Sequence, residues 1–258
     1  MLIDLSLNEK IVKKMQFDLQ NIGQQFQSLT KYKRGFLPSY GRSLFNMPPP
    51  LKTYPDNRTI DLPKPETSGG PPLWEIIRER RSHRVFKSAP LSINEVGQLF
   101  WASQGITSER GGFGFRAAPS AGALYPTETY FLAARVEKMP AGLYHYNISK
   151  HAAELIKEGS LASELASAAL DQDFIEKAPL TVIWTAIVAR CAWKYLQRAY
   201  RYIYLDTAHI AQNLMLSATA MGLGTCGIGA FYDDEVNALI GVDGEAETVL
   251  YLCVVGKI

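Results

Sequence analysis

Arg80, Arg81 and Arg84 fall within five positions, with Ser82 among them. A guanidinium is always charged and presents a planar fork of donors that matches phosphate oxygens. Alternate side chains of an extended segment point the same way, so Arg80, Ser82 and Arg84 can converge on one anion while Arg81 and His83 face elsewhere. A solvated basic turn is the competing reading of this stretch, residues 80–86, RRSHRVF. A second candidate is Lys194 beside Tyr195, a pair that can carry protons where burial or a neighbouring cation lowers their pKa values. A surface lysine next to a packing tyrosine is the plainer alternative. A third is the small-residue loop 118–123, with Pro119, Ser120, Ala121 and Gly122. Small residues let a backbone approach a flat ligand closely, and Ser120 adds a hydroxyl. A tight packing turn would use the same residues.

Glycines at 222, 224, 227 and 229 lie between a helical pattern and a strand pattern. A dinucleotide-binding fingerprint needs the opposite order, and a P-loop needs a Gly-Lys-Ser/Thr that is absent here. The stretch is therefore a helix C-cap with close strand packing, or a run of backbone amides against the edge of a ring system. Asp206 and His209 share a helix face, a spacing that could hold a metal. A carboxylate-bridged di-metal site wants two such motifs and further glutamates. A buried hydrogen-bond network accounts better for a polar pair in an apolar helix, and no metal ligands are assigned. His83, His145 and His151 have no ligand-like spacing.

The elements that would position these residues alternate between helix and strand. Residues 8–29 carry Ile11, Met15, Leu19, Ile22 and Phe26 at helical steps. Residues 31–72 hold prolines at 48–50, 55, 63 and 65 and the run SGGPP at 68–72, which excludes a helix and argues against a central strand. This reads as an extended arm over the domain or over a neighbouring subunit. A short helical run covers 73–79. Ser92 and Glu95 form a capping box ahead of a helix with Val96, Leu99, Phe100 and Ser103 on one face, ended at Gln104-Gly105. A glycine-rich loop is expected at 111–114, strands at 129–136 and 142–147, and a helix at 160–170. Residues 180–188 are apolar on both faces, as a strand covered on two sides requires. The longest helical pattern, 200–221, is apolar on two adjoining faces and so needs two neighbours, in the domain or in a dimer. A short helix at 233–240 and a last strand at 248–255 complete an α+β or α/β order.

Composition bounds the rest. The 258 residues are 47% hydrophobic and 20% charged with a net charge of +2, ordinary for a globular protein and without the basic excess of a nucleic-acid binder. No apolar run is long enough to span a bilayer. The first residues lack the basic-then-apolar order of a secretory signal. Cys191, Cys226 and Cys253 are widely spaced and read as reduced, buried thiols in a cytoplasmic protein.

Together these stretches resemble the nitroreductase-like flavoprotein superfamily, in its SagB-type dehydrogenase branch. The resemblance rests on RRSHRVF (80–86), LSINEVGQLFWASQGIT (91–107), RAAPSAGALYPTETY (116–130), GLYHYN (142–147), WKYLQRAYRYIYLDTAHIAQNL (193–214) and GLGTCGIGAFYDDEVNALIG (222–241), in that order. It covers about residues 73–258, which separates a flavin-binding domain from residues 1–72, an N-terminal helix and proline-rich arm outside the match. The resemblance implies an α+β fold with a central, mostly antiparallel sheet flanked by helices. It also implies a homodimer with FMN at the subunit interface. Arg80, Arg81, Ser82 and Arg84 are similar to the family's first flavin-binding segment. Pro119, Ser120, Ala121 and Gly122 are similar to the loop that lies against the flavin from the other subunit. Leu223 and Gly224 are similar to the backbone near the isoalloxazine edge, and Lys257 stands where the family often has a basic residue on the phosphate. Lys194 and Tyr195 resemble the lysine–tyrosine pair of azoline dehydrogenases.

The function so implied is FMN-dependent hydride transfer through flavin N5, with Lys194 or Tyr195 handling the coupled proton and the protein tuning the flavin. Azoline-to-azole oxidation on a modified peptide is one reading. A stand-alone reductase of nitroaromatics or quinones, with NAD(P)H as donor, is the other. A flavin-binding protein without turnover and a scaffold with a degenerate site are rivals from other classes. No nucleic acid and no membrane is expected among the partners.

Overall fold

In the computed structural model, residues 21–35, 48–111 and 113–258 are described. The core is one seven-stranded sheet in the order β1-β6-β5-β4-β7-β9-β8, antiparallel at every pairing. Its strands are β1 (Thr59–Asp61), β4 (Thr127–Ala133), β5 (Gly142–Asn147), β6 (Ala152–Glu158), β7 (Leu180–Ile187), β8 (Leu223–Ile228) and β9 (Glu247–Lys257). Strands β2 (Ile106–Arg110) and β3 (Phe113–Arg116) form a separate hairpin. The helices are α1 (Leu73–Glu79), α2 (Ile93–Gln104), α3 (Ala162–Ala168), α4 (Phe174–Lys177), α5 (Ala189–Tyr195), α6 (Ala199–Ala220) and α7 (Asp233–Ile240). The expected α+β class, with helices flanking a mostly antiparallel sheet, is what is seen.

Alternation along the strands divides the core into two layers. Phe131, Val182 and Trp184 face α2 and α6, against Leu99, Phe100, Ile210 and Leu214. Tyr130, Leu132 and Ile183 face the other side, against Leu165, Ile175 and Val236 of α3, α4 and α7. Strand β7 is thus covered on both faces, as its unbroken apolar run requires. Phe100, Phe131, Leu99 and Leu143 are almost wholly buried, and each such burial contributes about 1.5–3 kcal/mol.

Helix α2 begins with the expected capping box. Glu95 N donates to Ser92 Oγ at 3.2 Å and Ser92 N donates to Glu95 Oε2 at 2.8 Å. Helix α6 buries Ile203, Thr207, Ile210, Leu214 and Ala218 but leaves Tyr204 and Leu205 more than half exposed. Helix α1 buries no residue at all, and Trp74 is 78% exposed. Among the described residues, two apolar helix faces therefore stand uncovered.

One local reading is corrected, and two features were not foreseen. Around the expected glycine loop the chain forms the β2–β3 hairpin, turning at Gly111 with φ 59°. Strand β6 is not apparent from its alanines, and pairing with β5 on one side and β1 on the other overrides their helical preference. The proline-rich segment is partly in the sheet: β1 pairs with β6 at the edge, where missing donors are tolerated. Of the expected N-terminal helix, residues 21–29 are helical and 8–20 lie outside the described residues. This helix is fastened to the start of α6 through Arg201 Nη2 to Gln27 O at 2.7 Å and Arg198 Nη1 to Thr30 O at 2.6 Å.

Candidate functional site

Helix α6 carries the anchor of the first group. Asp206, 4% exposed, accepts from Ser120 Oγ at 2.6 Å and from Ala121 N at 3.1 Å. Ser120 Oγ accepts in turn from Tyr125 N at 2.9 Å. Asp206 of the helix-face pair thus serves a hydrogen-bond network while His209 is exposed, and among the described residues no cluster suited to a metal ion occurs. Burial raises the pKa of Asp206, against the lowering effect of Ser120 and Ala121.

The pinned loop is held in unusual backbone conformations. Gly122 has φ 65°, Ala123 φ 55° and Tyr125 φ 47°. Across from it, α5 ends at Tyr195 and the chain turns at Leu196 with φ 50° and ψ −136°, a region that non-glycine residues enter only under constraint. The two strained turns meet. A Cβ placed on Gly122 would stand 2.6 Å from Tyr195 Oη and 2.9 Å from Lys194 Nζ. Lys194 Nζ lies 5.4 Å from the Tyr195 ring centroid, and that ring meets Tyr202 edge-on at 4.7 Å. Pro119, Ser120, Ala121, Gly122, Lys194 and Tyr195 therefore belong to one junction.

The arginine segment forms a second group. His83 N donates to Thr225 O at 2.8 Å, and Ser82 bridges Thr225 in parallel, so residues 82–83 run along β8. Gly224 is needed there: a Cβ would meet Ile258 at 2.3 Å and His83 at 2.9 Å. Leu223 points into the core at 3% exposure. Lys257, paired with Leu223 across the sheet, directs its ammonium to Glu95. Arg81 folds back onto the carbonyls of Arg78 and Arg80, both at 2.8 Å. Arg84 lies 5.9 Å from the Phe174 ring. Among the described residues, Arg80, Arg81 and Arg84 form no ion pair. Their guanidiniums stand at or near the surface without carboxylate partners.

One chain does not bring the two groups together. The first hangs on Asp206, and the second attaches just beyond the end of α6 at Ala220. A rise of 1.5 Å per residue puts about 20 Å of helix between them.

Sequence reasoning missed a buried ionic network behind the Ser120 loop. His145 is fully buried, with Nε2 3.0 Å from Glu128 and Nδ1 3.0 Å from Glu154. Glu128 also accepts from Arg190 Nη1. Burial opposes the charge on Glu128, but His145 and Arg190 outweigh it and hold the pKa down to about 2. Burial likewise opposes the His145 charge, and the two carboxylates outweigh it and raise the pKa. The proline-rich segment is strapped to this network. Arg190 Nε donates to Pro49 O at 2.8 Å, Tyr54 N to Glu154 at 3.1 Å, and Lys52 Nζ to Glu247 at 2.6 Å. Arg190 opens α5, so the network fixes the helix that ends in Lys194 and Tyr195.

Comparison with known proteins follows the same outline. The model of the Nitroreductase family matches residues 77–257. MJ1384 of Methanocaldococcus jannaschii, a protein provisionally named a nitroreductase, is 38% identical over 202 residues, 78% of this chain and 98% of that one. The microcin B17-processing protein McbC of Escherichia coli is 29% identical over 133 residues, covering 50% of this chain and 49% of its own length. A crystal structure from Anabaena variabilis, also provisionally named a nitroreductase, superposes with a TM-score of 0.69 at 28% identity, over 90% of this chain and 45% of that one. The chain thus spans about half of McbC and of the Anabaena protein. Among the described residues no helix is long and apolar enough to cross a membrane.

Proposed function

We propose that this chain, which belongs to the nitroreductase family, is an FMN-dependent enzyme that works as a cytoplasmic homodimer and oxidises azolines to azoles on a peptide. Family membership makes it an oxidoreductase; the cofactor, assembly and substrate are our reading. The residues present fit FMN. Three guanidiniums without carboxylate partners among the described residues suit its phosphate. The small-residue turn at Gly122 is exposed and carries no side chain of its own to hold a flat ring away from the backbone. Arg80, Ser82 and Arg84 would hold the phosphate end, Leu223 and Gly224 the ring edge, and Pro119 to Gly122 the ring face. Lys257 would join the phosphate by releasing Glu95.

The observation that carries the reading is the approach of Lys194 and Tyr195 to Gly122. It supports a proton donor and acceptor beside the bound ring. FMN, when bound, supplies two-electron redox chemistry by accepting or giving a hydride. This chain's residues do the rest. Lys194 or Tyr195 takes the proton that leaves the substrate with the hydride. Asp206 holds the Ser120 turn in register, and the strained turns at Gly122 and Leu196 keep the pair from withdrawing.

Dimerisation is supported by the separation of the two groups along α6 and by the uncovered faces of α1 and α6. A two-fold partner packed there would cover Trp74 and Tyr204 and set one copy's arginines opposite the other's Gly122 loop. The peptide reading draws on the likeness to McbC, which processes microcin B17. A stand-alone NAD(P)H-dependent nitro or quinone reductase is favoured instead by the near-complete match to MJ1384. Incubation with a thiazoline peptide tests the choice. Loss of two hydrogens from the peptide, abolished by Lys194→Ala, supports azoline oxidation. NADPH consumption with a nitroaromatic and no change in the peptide supports the reductase.

A further inference from the structure

Next to the Gly122 junction lies a cavity of about 340 Å³, within the size range of small-molecule sites. Pro48, Pro50 and Leu51 of the strap roof it, and Ile106, Leu124 and Trp193 form apolar walls. Leu124 follows the loop that holds Gly122, and Trp193 precedes Lys194. Arg116 and Arg190 also line it.

The two arginines differ in their partners. Arg190 is matched by Glu128. Arg116, 8% exposed, has only neutral ones: Gln104 Oε1 at 2.8 Å, Pro50 O at 3.5 Å and the Tyr125 ring face at 4.5 Å. Among the described residues it forms no ion pair. In the surrounding network Lys52 and Arg190 are each paired with a carboxylate, Glu247 and Glu128, whereas Arg116 has none within hydrogen-bond reach among the described residues. Glu128 acts on Arg116 only at a distance, and a buried guanidinium without a directly bonded carboxylate is expensive. Trp193 adds a buried indole N–H with no acceptor among the described residues.

We propose that this cavity binds a small-molecule carboxylate, with Arg116 pairing its anionic group and Leu124, Trp193 and the strap prolines covering its apolar body. One guanidinium fork matches one carboxylate in bidentate fashion. A phosphate dianion would call for more donors than Arg116 and the indole offer. Because Ala123 and Trp193 of its lining directly adjoin Gly122 and Lys194 in the chain, the bound acid lies near the proposed reaction centre. Its role as a substrate subsite rests on that reading; its binding does not.

Calorimetric titration of the purified protein with phenylacetate and with its neutral isostere phenylacetamide tests this. The acid should bind roughly ten- to hundredfold more tightly, the range of a charge-assisted hydrogen bond. Arg116→Gln should level the two affinities, and Arg116→Lys should keep part of the preference. Equal affinities in the wild type, no binding of the acid, or a preference surviving Arg116→Gln would overturn the proposal. Should Arg116→Gln fail to fold, Leu124→Trp narrows the cavity from the loop side and should weaken the acid; unchanged binding in that variant would also overturn it. Flavin content, read by absorbance on the same samples, separates the two claims. A flavin-loaded protein without acid preference sinks the subsite alone, whereas acid preference in a protein that never takes up FMN sinks the flavin reading and leaves the subsite standing.

Discussion

Replacing Gly122 with alanine should disable the reaction centre while leaving the fold intact. The new Cβ would stand 2.6 Å from Tyr195 Oη and 2.9 Å from Lys194 Nζ, where ordinary contact begins near 3.4 Å. The tyrosine tip must therefore withdraw by about 0.8 Å and the ammonium by about 0.5 Å, or the loop must lift by as much. The loop resists, because Asp206 pins Ser120 and Ala121 on one side of Gly122. Displacing reacting groups by about 1 Å can cost on the order of a hundredfold in rate. Alanine at φ 65° adds backbone strain of about 1–2 kcal/mol, which for a chain of this size lowers Tm by roughly 2–8 °C. Turnover of a thiazoline peptide, or NADPH oxidation with a nitroaromatic, should fall ten- to hundredfold per bound flavin. Wild-type turnover in a folded Gly122→Ala protein would show that Lys194 and Tyr195 do not act from this junction.

Arg84→Ala should weaken FMN binding about ten- to hundredfold, because it removes charge-assisted hydrogen bonds; a fluorescence titration matching wild type would refute its role. Trp74→Glu should turn a dimer into monomers by placing a charge on the uncovered face of α1, and an unchanged mass in light scattering would exclude that face from the interface. Thermal stability should peak on the acid side of neutrality. Glu128, depressed from 4.5 to about 2, contributes stability that is complete above pH 4.5 and lost as pH falls toward 2, on the order of 3 kcal/mol. Depressed Glu154 acts in the same sense. His145, raised above 6.5, contributes fully below that value, and its contribution is lost as pH rises through its folded pKa. Asp206, raised above 3.8, likewise contributes less as pH rises through its own folded pKa. A scan of Tm against pH that peaks on the alkaline side would contradict this assignment of charges.

Elements whose signal is local were legible from sequence. The Ser92–Glu95 capping box, the double-faced β7 run and the helix Asp233–Ile240 follow from neighbouring residues alone. Strand β6 was not legible, since Ala152 and Ala153 gain a strand conformation only by pairing with β5. The hairpin at Gly111 was hidden by glycines and polar residues that do not alternate. Site residues were recognisable by type, yet their meeting was not: Ser120, Tyr195 and Asp206 come together through tertiary packing. The Glu128–His145–Glu154 network had no spacing to betray it, because strand register creates it by setting His145 opposite Glu154 and next to the strand of Glu128. The roof that Pro48 and Pro50 form over Arg116 was equally invisible, since nothing in an irregular proline-rich stretch says what it covers.

Native mass spectrometry of the freshly purified protein addresses the core proposition most directly. A dimer carrying one FMN per chain, with the flavin lost when Arg80 and Arg84 are both changed to alanine, is the predicted spectrum. A monomer, or a dimer that stays free of FMN when the flavin is supplied in excess, would contradict it.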